Sequence, residues 1–358
     1  MSSSFGTKVK IQIFGQSHSE MLGVVIDGLP AGHIIDLDYI NAFLDRRRGG
    51  MNAYSTQRAE SDIPEIVSGI VDRKICGAPL CAVFRNENAE ESDYEQFRFI
   101  PRPSHADYNA HVKYRGANDI RGGGHFSGRL TLPFCFAGAA CKQILETQYI
   151  YIGAHIQQIA DICDIPYDPV NINLNDIAHV DFPVNDAAVG EKMKEKMTEV
   201  AEEGDSVGGI IECVIVGLPQ GIGEPMFDGL ENRISQAIFA VPAVKGIEFG
   251  TGFSAAGMKG SENNDEYYAE DGKVKLSTNH AGSILGGIST GMPLIFRVAV
   301  KPTPSIYKEQ NSVDIRTMQN VKLKIEGRHD PCIVPRVVPC IEAAAAIVIL
   351  DLVMSNEL

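Results

Sequence analysis

The sequence predicts an α+β fold assembled from related β-α units, on three observations. Hydrophobic residues make up 44% and charged residues 22% of the 358 positions. That is ordinary globular usage, which excludes a disordered chain and supplies a large core. The 35 glycines form no low-complexity tract; they punctuate many short apolar runs, which therefore alternate with turns. Two segments also look alike. Val24-Val25-Ile26-Asp27-Gly28-Leu29-Pro30 and Val214-Ile215-Val216-Gly217-Leu218-Pro219 both read as a strand followed by a Gly-Leu-Pro turn, and each precedes a helical pattern. We read this as internal duplication, against the alternative that a common strand-turn-helix unit recurs by chance.

The elements follow in order. Strands are expected over residues 8–14, 24–27, 80–84, Gly209–Val216 and Leu294–Val300. The first helix is capped by Asp36, carries Leu37, Ile40 and Leu44 on one face, and stops at Gly49-Gly50. The helix of the second unit runs through Leu230, Ile234, Ala237 and Ile238. Another is expected over residues 186–203, with Met193, Met197 and Val200 inward, a solvated Lys/Glu face, and Gly204 as its stop. The last helix is expected to begin at Pro339, where a missing N–H costs nothing, and to run to Met354. It is apolar nearly all round, which implies deep burial or a subunit contact.

Forty-six acidic against 32 basic residues give a formal charge of -14. A whole-surface grip on nucleic acid or anionic membrane is not expected, so anions must be held by local clusters of Arg, His or backbone N–H. The N-terminal MSSSFGTKVKIQIFG lacks the apolar core of a secretory signal. The longest apolar stretch, residues 343–350, is broken by Asp351 and falls short of the ~20 residues of a spanning helix. Cys76, Cys81, Cys135, Cys141, Cys163, Cys213, Cys332 and Cys340 form no CxxC pair. Neither a zinc ribbon nor a redox dithiol is signalled, and no metal site is expected. They read as reduced thiols, mostly buried, in a cytoplasmic protein.

Five constellations carry candidate chemistry. Gly15-Gln16-Ser17-His18-Ser19 ends a strand, and a histidine there serves either as an acid-base group or as a loop residue bonded to backbone. Arg46-Arg47-Arg48 matches anionic oxygens or, alternatively, complements a helix C-terminus; three consecutive arginines point in three directions. Arg102-Pro103-Ser104-His105-Ala106-Asp107 precedes Arg121-Gly122-Gly123-Gly124-His125-Phe126-Ser127-Gly128-Arg129. Its three glycines let backbone N–H groups approach an anion closely. Lys301-Pro302-Thr303-Pro304-Ser305 is a rigid loop suited to phosphate or an ordinary Pro-rich turn. Arg328-His329-Asp330 with Arg336 is costly to bury unpartnered, or else a surface loop feeding the last helix. Together they describe a pocket for multiply anionic small molecules.

The residues in these segments resemble the chorismate synthase family. The resemblance is carried in order by FGQSHSEMLGVVIDGLPAG, LDRRRGG, RPSHADY, RGGGHFSGR, GDSVGG, AVKGIEFG, NHAGSILGGISTG, KPTPS and GRHDPCIVPRVVPCIEAAAAIVILD, from about residue 8 to 354. It implies one domain over residues 1–358, folded as a β-α-β sandwich with an internal pseudo-repeat and assembled as a homotetramer. It implies a lyase that eliminates phosphate in the anti-1,4 sense from 5-enolpyruvylshikimate 3-phosphate to give chorismate, with reduced FMN required. It assigns His18 to protonating the reduced flavin, His105 to assisting phosphate departure, and Asp330 with Ser17 to helping the flavin take the substrate proton. FMN contacts fall on His125, Phe126, Ser127, Ala243, Gly286, Lys301, Pro302, Thr303, Pro304, Ser305 and Arg328. Substrate contacts fall on Arg47, Arg102, Arg129 and Arg336, and an NADP contact on Arg47. With no Rossmann fingerprint visible, an external source of reduced flavin is favoured.

Some motifs depart from the family's pattern. GQSHS stands for GESHG, RRRGG for RRRPG, RPSHAD for RPGHAD, and GGHFSGRL for GGRSSARE; a later arginine is replaced near Ala53. Two other readings follow from the residues: a divergent relative that binds flavin or substrate with weak turnover, and a basic-loop RNA-binding or scaffold protein. The acidic charge and the lack of stacking aromatics near Arg46–Arg48 count against the last.

Overall fold

The computed structural model describes residues 3–50, 61–86, 94–172, 180, 182–327 and 329–356. The vicinity of Ala53 and Arg328 lies outside the described residues. The first half of the chain builds an antiparallel sheet from β1 (Ser4–Phe5), β2 (Lys10–Gly15), β3 (Met21–Asp27), β4 (Glu65–Ser68) and β7 (Leu80–Arg85). A small ribbon, β5 (Ile70–Val71) and β6 (Lys74–Ile75), lies between the last two in sequence. The second half builds another sheet from β8 (Tyr151–Ile159), β9 (Ile162–Cys163), β10 (Gly209–Val216), β11 (Val244–Phe249) and β16 (Leu294–Val300). Three ribbons decorate it: β12–β13 (Tyr267–Glu270, Lys273–Leu276), β14–β15 (Ile284–Leu285, Ile288–Ser289) and β17–β18 (Gln310–Asp314, Gln319–Leu323). The helices are α1 (Leu37–Asp45), α2 (Asp107–Tyr114), α3 (Thr131–Glu146), α4 (Ala187–Glu202), α5 (Leu230–Ile238), α6 (Gly260–Asn263) and α7 (Val334–Ser355).

The strand orders expose the repeat. The first sheet reads β2-β3-β7-β4 and the second β8-β10-β16-β11, each with one short edge strand beyond β2 or β8. In each half the second strand runs through Gly-Leu-Pro toward a short helix, α1 or α5, and the half closes on a long buried helix, α3 or α7. Even the turn glycines match. Gly28 and Gly217 have φ of +86° and +83°, and a Cβ on either would lie 1.9 or 2.1 Å from a carbonyl oxygen, that of Lys8 or Tyr149. Only glycine fits a positive φ with that approach.

Helices α3 and α7 lie between the sheets. The first packs on β2, β3 and β7 and reaches β8; the second packs on β8 and β10; and they pack on each other. Both are buried on all sides, as helices apolar around their circumference must be. They touch most closely at Gly138, where a Cβ would lie 2.2 Å from that of Ala343. By length and composition α7 could cross a membrane, but it is a buried core helix here.

Several expectations shift. Helix α7 starts at Val334, not Pro339: Pro335 takes the first turn, and Pro339 is carried inside the helix because Val334, Val337 and Val338 are buried. The helix runs through Asp351 to Ser355, past the expected end at Met354. The Asp351 carboxylate accepts from the N–H groups of Thr7 (3.0 Å), Lys8 (2.7 Å) and Val9 (2.9 Å) and pairs with Arg233 at 2.7 Å. That explains why β2 begins at Lys10 and not at Lys8. Leu37 is partly exposed while Ile40, Phe43 and Leu44 are buried, so Phe43 takes the place expected for Leu37 on the inward face of α1. Cys135, Cys141, Cys213, Cys332 and Cys340 are buried, Cys76 and Cys163 exposed, Cys81 half-buried, and none is in a disulfide.

A charge cluster is sealed within this core. Glu342 is fully buried and takes Arg46 at 2.7 Å and Lys142 at 2.9 Å. Burial alone raises a carboxyl, but these two cations outweigh it and draw Glu342 from 4.5 down to about 2. A carboxyl depressed in the folded state stabilises fully above its unfolded value and loses that contribution as pH falls through the folded one. Stability should therefore drop between about pH 4.5 and 2 in acid titrations followed by circular dichroism. Glu342→Gln should blunt that drop and, by leaving two buried cations without a counter-charge, cost about 3–5 kcal/mol at neutral pH in urea melts. A variant as stable as wild type would show that the cluster adds nothing.

Candidate active site

The loops at one end of the two central helices enclose a cavity of about 620 Å³, well inside the range of small-molecule sites. All five constellations reach its wall: Ser17 after β2, Arg47 and Arg48 after α1, Ser104 and His105 before α2, the 122–129 turn before α3, Lys301 to Ser305 after β16, and Asp330 with Arg336 at the start of α7. Thr131 of α3 and Val337 of α7 also line it. Both central helices thus begin at the cavity and present their positive dipole ends to it.

The three-glycine run serves the histidines. Gly122, Gly123 and Gly124 all have positive φ. A Cβ on Gly122 would lie 2.4 Å from the His18 ring and 2.5 Å from the Ser17 hydroxyl; one on Gly123 would lie 3.1 Å from His105. The glycines therefore let two imidazoles from distant loops close on neighbouring residues of one turn. Ser17 anchors its own loop there, donating its N–H to the Gly124 carbonyl at 3.0 Å. His18 sits just behind the wall, its Nδ1 3.1 Å from Ser17 Oγ and its ring edge-on to Tyr94 at 4.9 Å. His105 is on the wall itself.

His105 Nδ1 lies 2.5 Å from Asp107 Oδ1. Asp107 also receives Arg102 Nε and a terminal guanidinium nitrogen, both at 2.8 Å. Burial works to raise the Asp107 carboxyl, yet Arg102 and His105 hold it well below the usual carboxylate range. An ionised Asp107 accepts the Nδ1–H of His105 and leaves Nε2 for the cavity side. Arg102, expected at the substrate, is instead turned away from the wall: it holds Asp107 and stacks on Phe97 at 4.6 Å.

The other arginines are held by carboxylates. Arg46 points into the core to Glu342, Arg48 pairs with Asp45 at 2.8 Å, and Arg47 points to the cavity: the three directions expected. Arg47 donates to Thr131 at 2.8 Å, the Gly128 carbonyl at 3.1 Å and Asp62 at 3.3 Å. Asp62 also takes Arg129, which reaches Asn86 at 3.1 Å. Arg336 pairs with Asp330 at 2.6 Å and donates to the Arg47 carbonyl at 3.0 Å. Lys301 reaches the Ser104 carbonyl at 2.7 Å, and burial together with Lys245 lowers its pKa.

Of the residues expected to hold a flavin, His125, Phe126, Ser127, Ala243, Lys301, Thr303, Pro304 and Ser305 border the cavity. Pro302 does not, and Gly286 lies in the β14–β15 turn away from it. His125 spends both ring nitrogens on the N-terminal segment, at 2.8 Å from the Gly15 carbonyl at the end of β2 and 2.9 Å from Ser3 Oγ. The buried Thr303 hydroxyl has no partner among the described residues. Sequence reasoning missed Asp62, Tyr94, Thr131, Val241, Pro242 and Cys340 on the wall. All six read as ordinary core or loop residues in the sequence.

A sandwich of two duplicated antiparallel sheets, with cations and a held imidazole gathered where its central helices begin, defines an enzyme for small multiply anionic substrates. The chorismate synthase family model matches residues 9–354. A chorismate synthase of Lancefieldella parvula is 47% identical over 99% of this chain and 97% of its own length. One from Dehalococcoides mccartyi is 46% identical with the same coverage. A solved chorismate synthase crystal structure superposes with a TM-score of 0.74 at 26% identity, covering 98% of this chain and 93% of that one. The chain belongs to the chorismate synthase family.

Asp107→Asn would remove the charge that orients His105 while preserving shape. We expect turnover to fall about 10- to 100-fold, with KM little changed and the alkaline limb of the pH–rate profile displaced to lower pH. An unchanged profile would separate Asp107 from the chemistry.

Proposed function

We propose that the chain is a lyase of aromatic amino acid biosynthesis, converting 5-enolpyruvylshikimate 3-phosphate to chorismate by anti-1,4-elimination of phosphate. The observation that carries this reading is the convergence of Ser17, His105, Asp330 and the Arg47–Asp62–Arg129 group on one cavity, with His18 directly behind it. The substrate bears a phosphate and two carboxylates, so it needs several fixed cations in a site that excludes water. Arg47, Arg129 and Arg336 supply them, each already held in place.

Reduced FMN fits the same cavity. Its volume accommodates a ring system, Lys301 supplies a cation, and Thr303 Oγ1 is a buried hydroxyl awaiting a partner. Ser127, Ala243 and the 303–305 loop would hold the cofactor; in place of the family's usual Arg-Ser pair, His125 braces the wall through the N-terminal segment and Phe126 covers it. When bound, reduced flavin would supply electron density for the elimination. His105, oriented by Asp107, holds a proton at Nε2 for the departing phosphate, an effect worth ~10²–10⁴ in rate. His18 would hold a proton beside Ser17 and Gly122. Asp330 is held in position by Arg336 and can take up a proton there. No dinucleotide-binding fingerprint is visible in the sequence, which favours flavin reduced elsewhere over reduction by NADPH on this chain. The chain works as one domain in a cytoplasmic homotetramer.

The test is an anaerobic assay of phosphate release from the phosphorylated enolpyruvyl substrate. Release should require reduced FMN, and His18→Ala and His105→Ala should each slow it at least tenfold with the circular dichroism spectrum intact. Release without flavin, or at the wild-type rate in His105→Ala, would overturn the reading.

A further inference from the structure

The cysteines were unremarkable by spacing, yet two of them meet at the cavity floor. Cys135 lies on α3, one turn before Gly138, and Cys340 on α7, one turn before Ala343. The close approach of the helices at Gly138 and Ala343 therefore repeats one turn nearer the cavity as a pair of thiols, with their sulfurs 3.7 Å apart. A disulfide needs about 2.05 Å, so a further approach of about 1.7 Å would bond them. The two thiols are unequal. Cys340 borders the cavity, whereas Cys135 is fully buried behind it. The Cys135 hydrogen bond, acting against burial and joined by Arg47, Thr131 and Arg336, lowers the Cys340 thiol below its ordinary value, while burial pushes Cys135 well up. The reactive form of a cysteine is the thiolate, favoured beside guanidinium groups.

We propose that Cys340 and Cys135 are a peroxide-oxidisable pair, Cys340 the reacting thiol and Cys135 the resolving one. The Cys340 thiolate attacks one oxygen of hydrogen peroxide and the O–O bond breaks. This gives a sulfenic acid at Cys340 and a hydroxide that leaves as water after taking a proton. The Cys135 thiol then attacks the sulfenic sulfur, the S–O bond breaks, and the departing hydroxide takes the Cys135 proton. Two thiols and one peroxide become one disulfide and two waters. The bond pins α3 to α7 at the cavity floor and removes the sulfur's negative charge from beside Arg47 and Arg336. None of this depends on which ligand the cavity takes.

The experiment uses the full-length protein carrying Cys76→Ser and Cys163→Ser, which removes the exposed thiols far from the cavity. It is treated with hydrogen peroxide, quenched by alkylation and mapped by peptide mass spectrometry. A Cys135–Cys340 cross-link, reversed by dithiothreitol, is expected, with loss of free Cys340 at least tenfold faster than of buried Cys213. In Cys135→Ala, Cys340 should be trapped as a dimedone adduct with no cross-link. The proposal is overturned if both thiols remain alkylatable after peroxide, or if Cys340 reacts no faster than Cys213. The mapping on the chain with native Cys135 decides this even if Cys135→Ala folds poorly.

Discussion

The rest of the structure depends on the contact between two parallel helices, α3 and α7, at Gly138 and Ala343. Each helix closes one copy of the repeated unit, and each is buried on all sides, so neither half can cover its own helix alone. Close packing in a core leaves little room for a side chain at such a crossing, and Gly138 lets the helix backbones meet. Because the helices run the same way, both start at the same end of the molecule. The loops that feed them, the glycine-rich turn before α3 and the Asp330 loop before α7, are brought together there. The active-site cavity thus follows from duplication plus one helix crossing.

Electrostatics then decides what the cavity can do. The chain is strongly acidic, so free cations at the surface would be neutralised by their surroundings. Three arginines at the cavity escape this by pairing with a carboxylate of fixed geometry: buried Asp62 for Arg47 and Arg129, half-buried Asp330 for Arg336. Such pairing stabilises the chain little, since desolvation offsets much of the attraction. Its effect is positional. A guanidinium held on one side keeps its remaining N–H groups aimed at one place, which is what a phosphate or carboxylate requires. Arg102 shows the same device used one step back: it secures Asp107, and Asp107 orients His105.

Much of this was legible in the chain. The strands Gly209–Val216 and Leu294–Val300, the Asp36 and Asp186 helix starts, and the Gly-Leu-Pro repeat follow from local periodicity and turn chemistry, which act over a few residues. The five clusters were legible because Arg, His and glycine runs are conspicuous. Their partners were not. Asp62 stands 15 residues from Arg47 and 67 from Arg129, and no local rule ties an acid to a guanidinium at that distance. The start of α7 was misplaced because burial of Val334, Val337 and Val338, a tertiary effect, overrides a proline in the second turn. The partners of Asp351, the backbone of residues 7–9 and Arg233, could not be read from the sequence because they come from elsewhere in the chain.

The glycine run gives the sharpest case of a right position with an incomplete cause. Three consecutive glycines suggested a backbone cradle for an anion, and the turn does border the cavity. Yet the space that side chains would fill at Gly122 and Gly123 is occupied by His18, Ser17 and His105. A cradle needs N–H groups turned toward the ligand, whereas here the missing Cβ atoms admit imidazoles from loops 87 residues apart (18 to 105). The same residue type answers both demands, so composition alone cannot choose between them. The choice is made by which loops the central helices deliver to the turn.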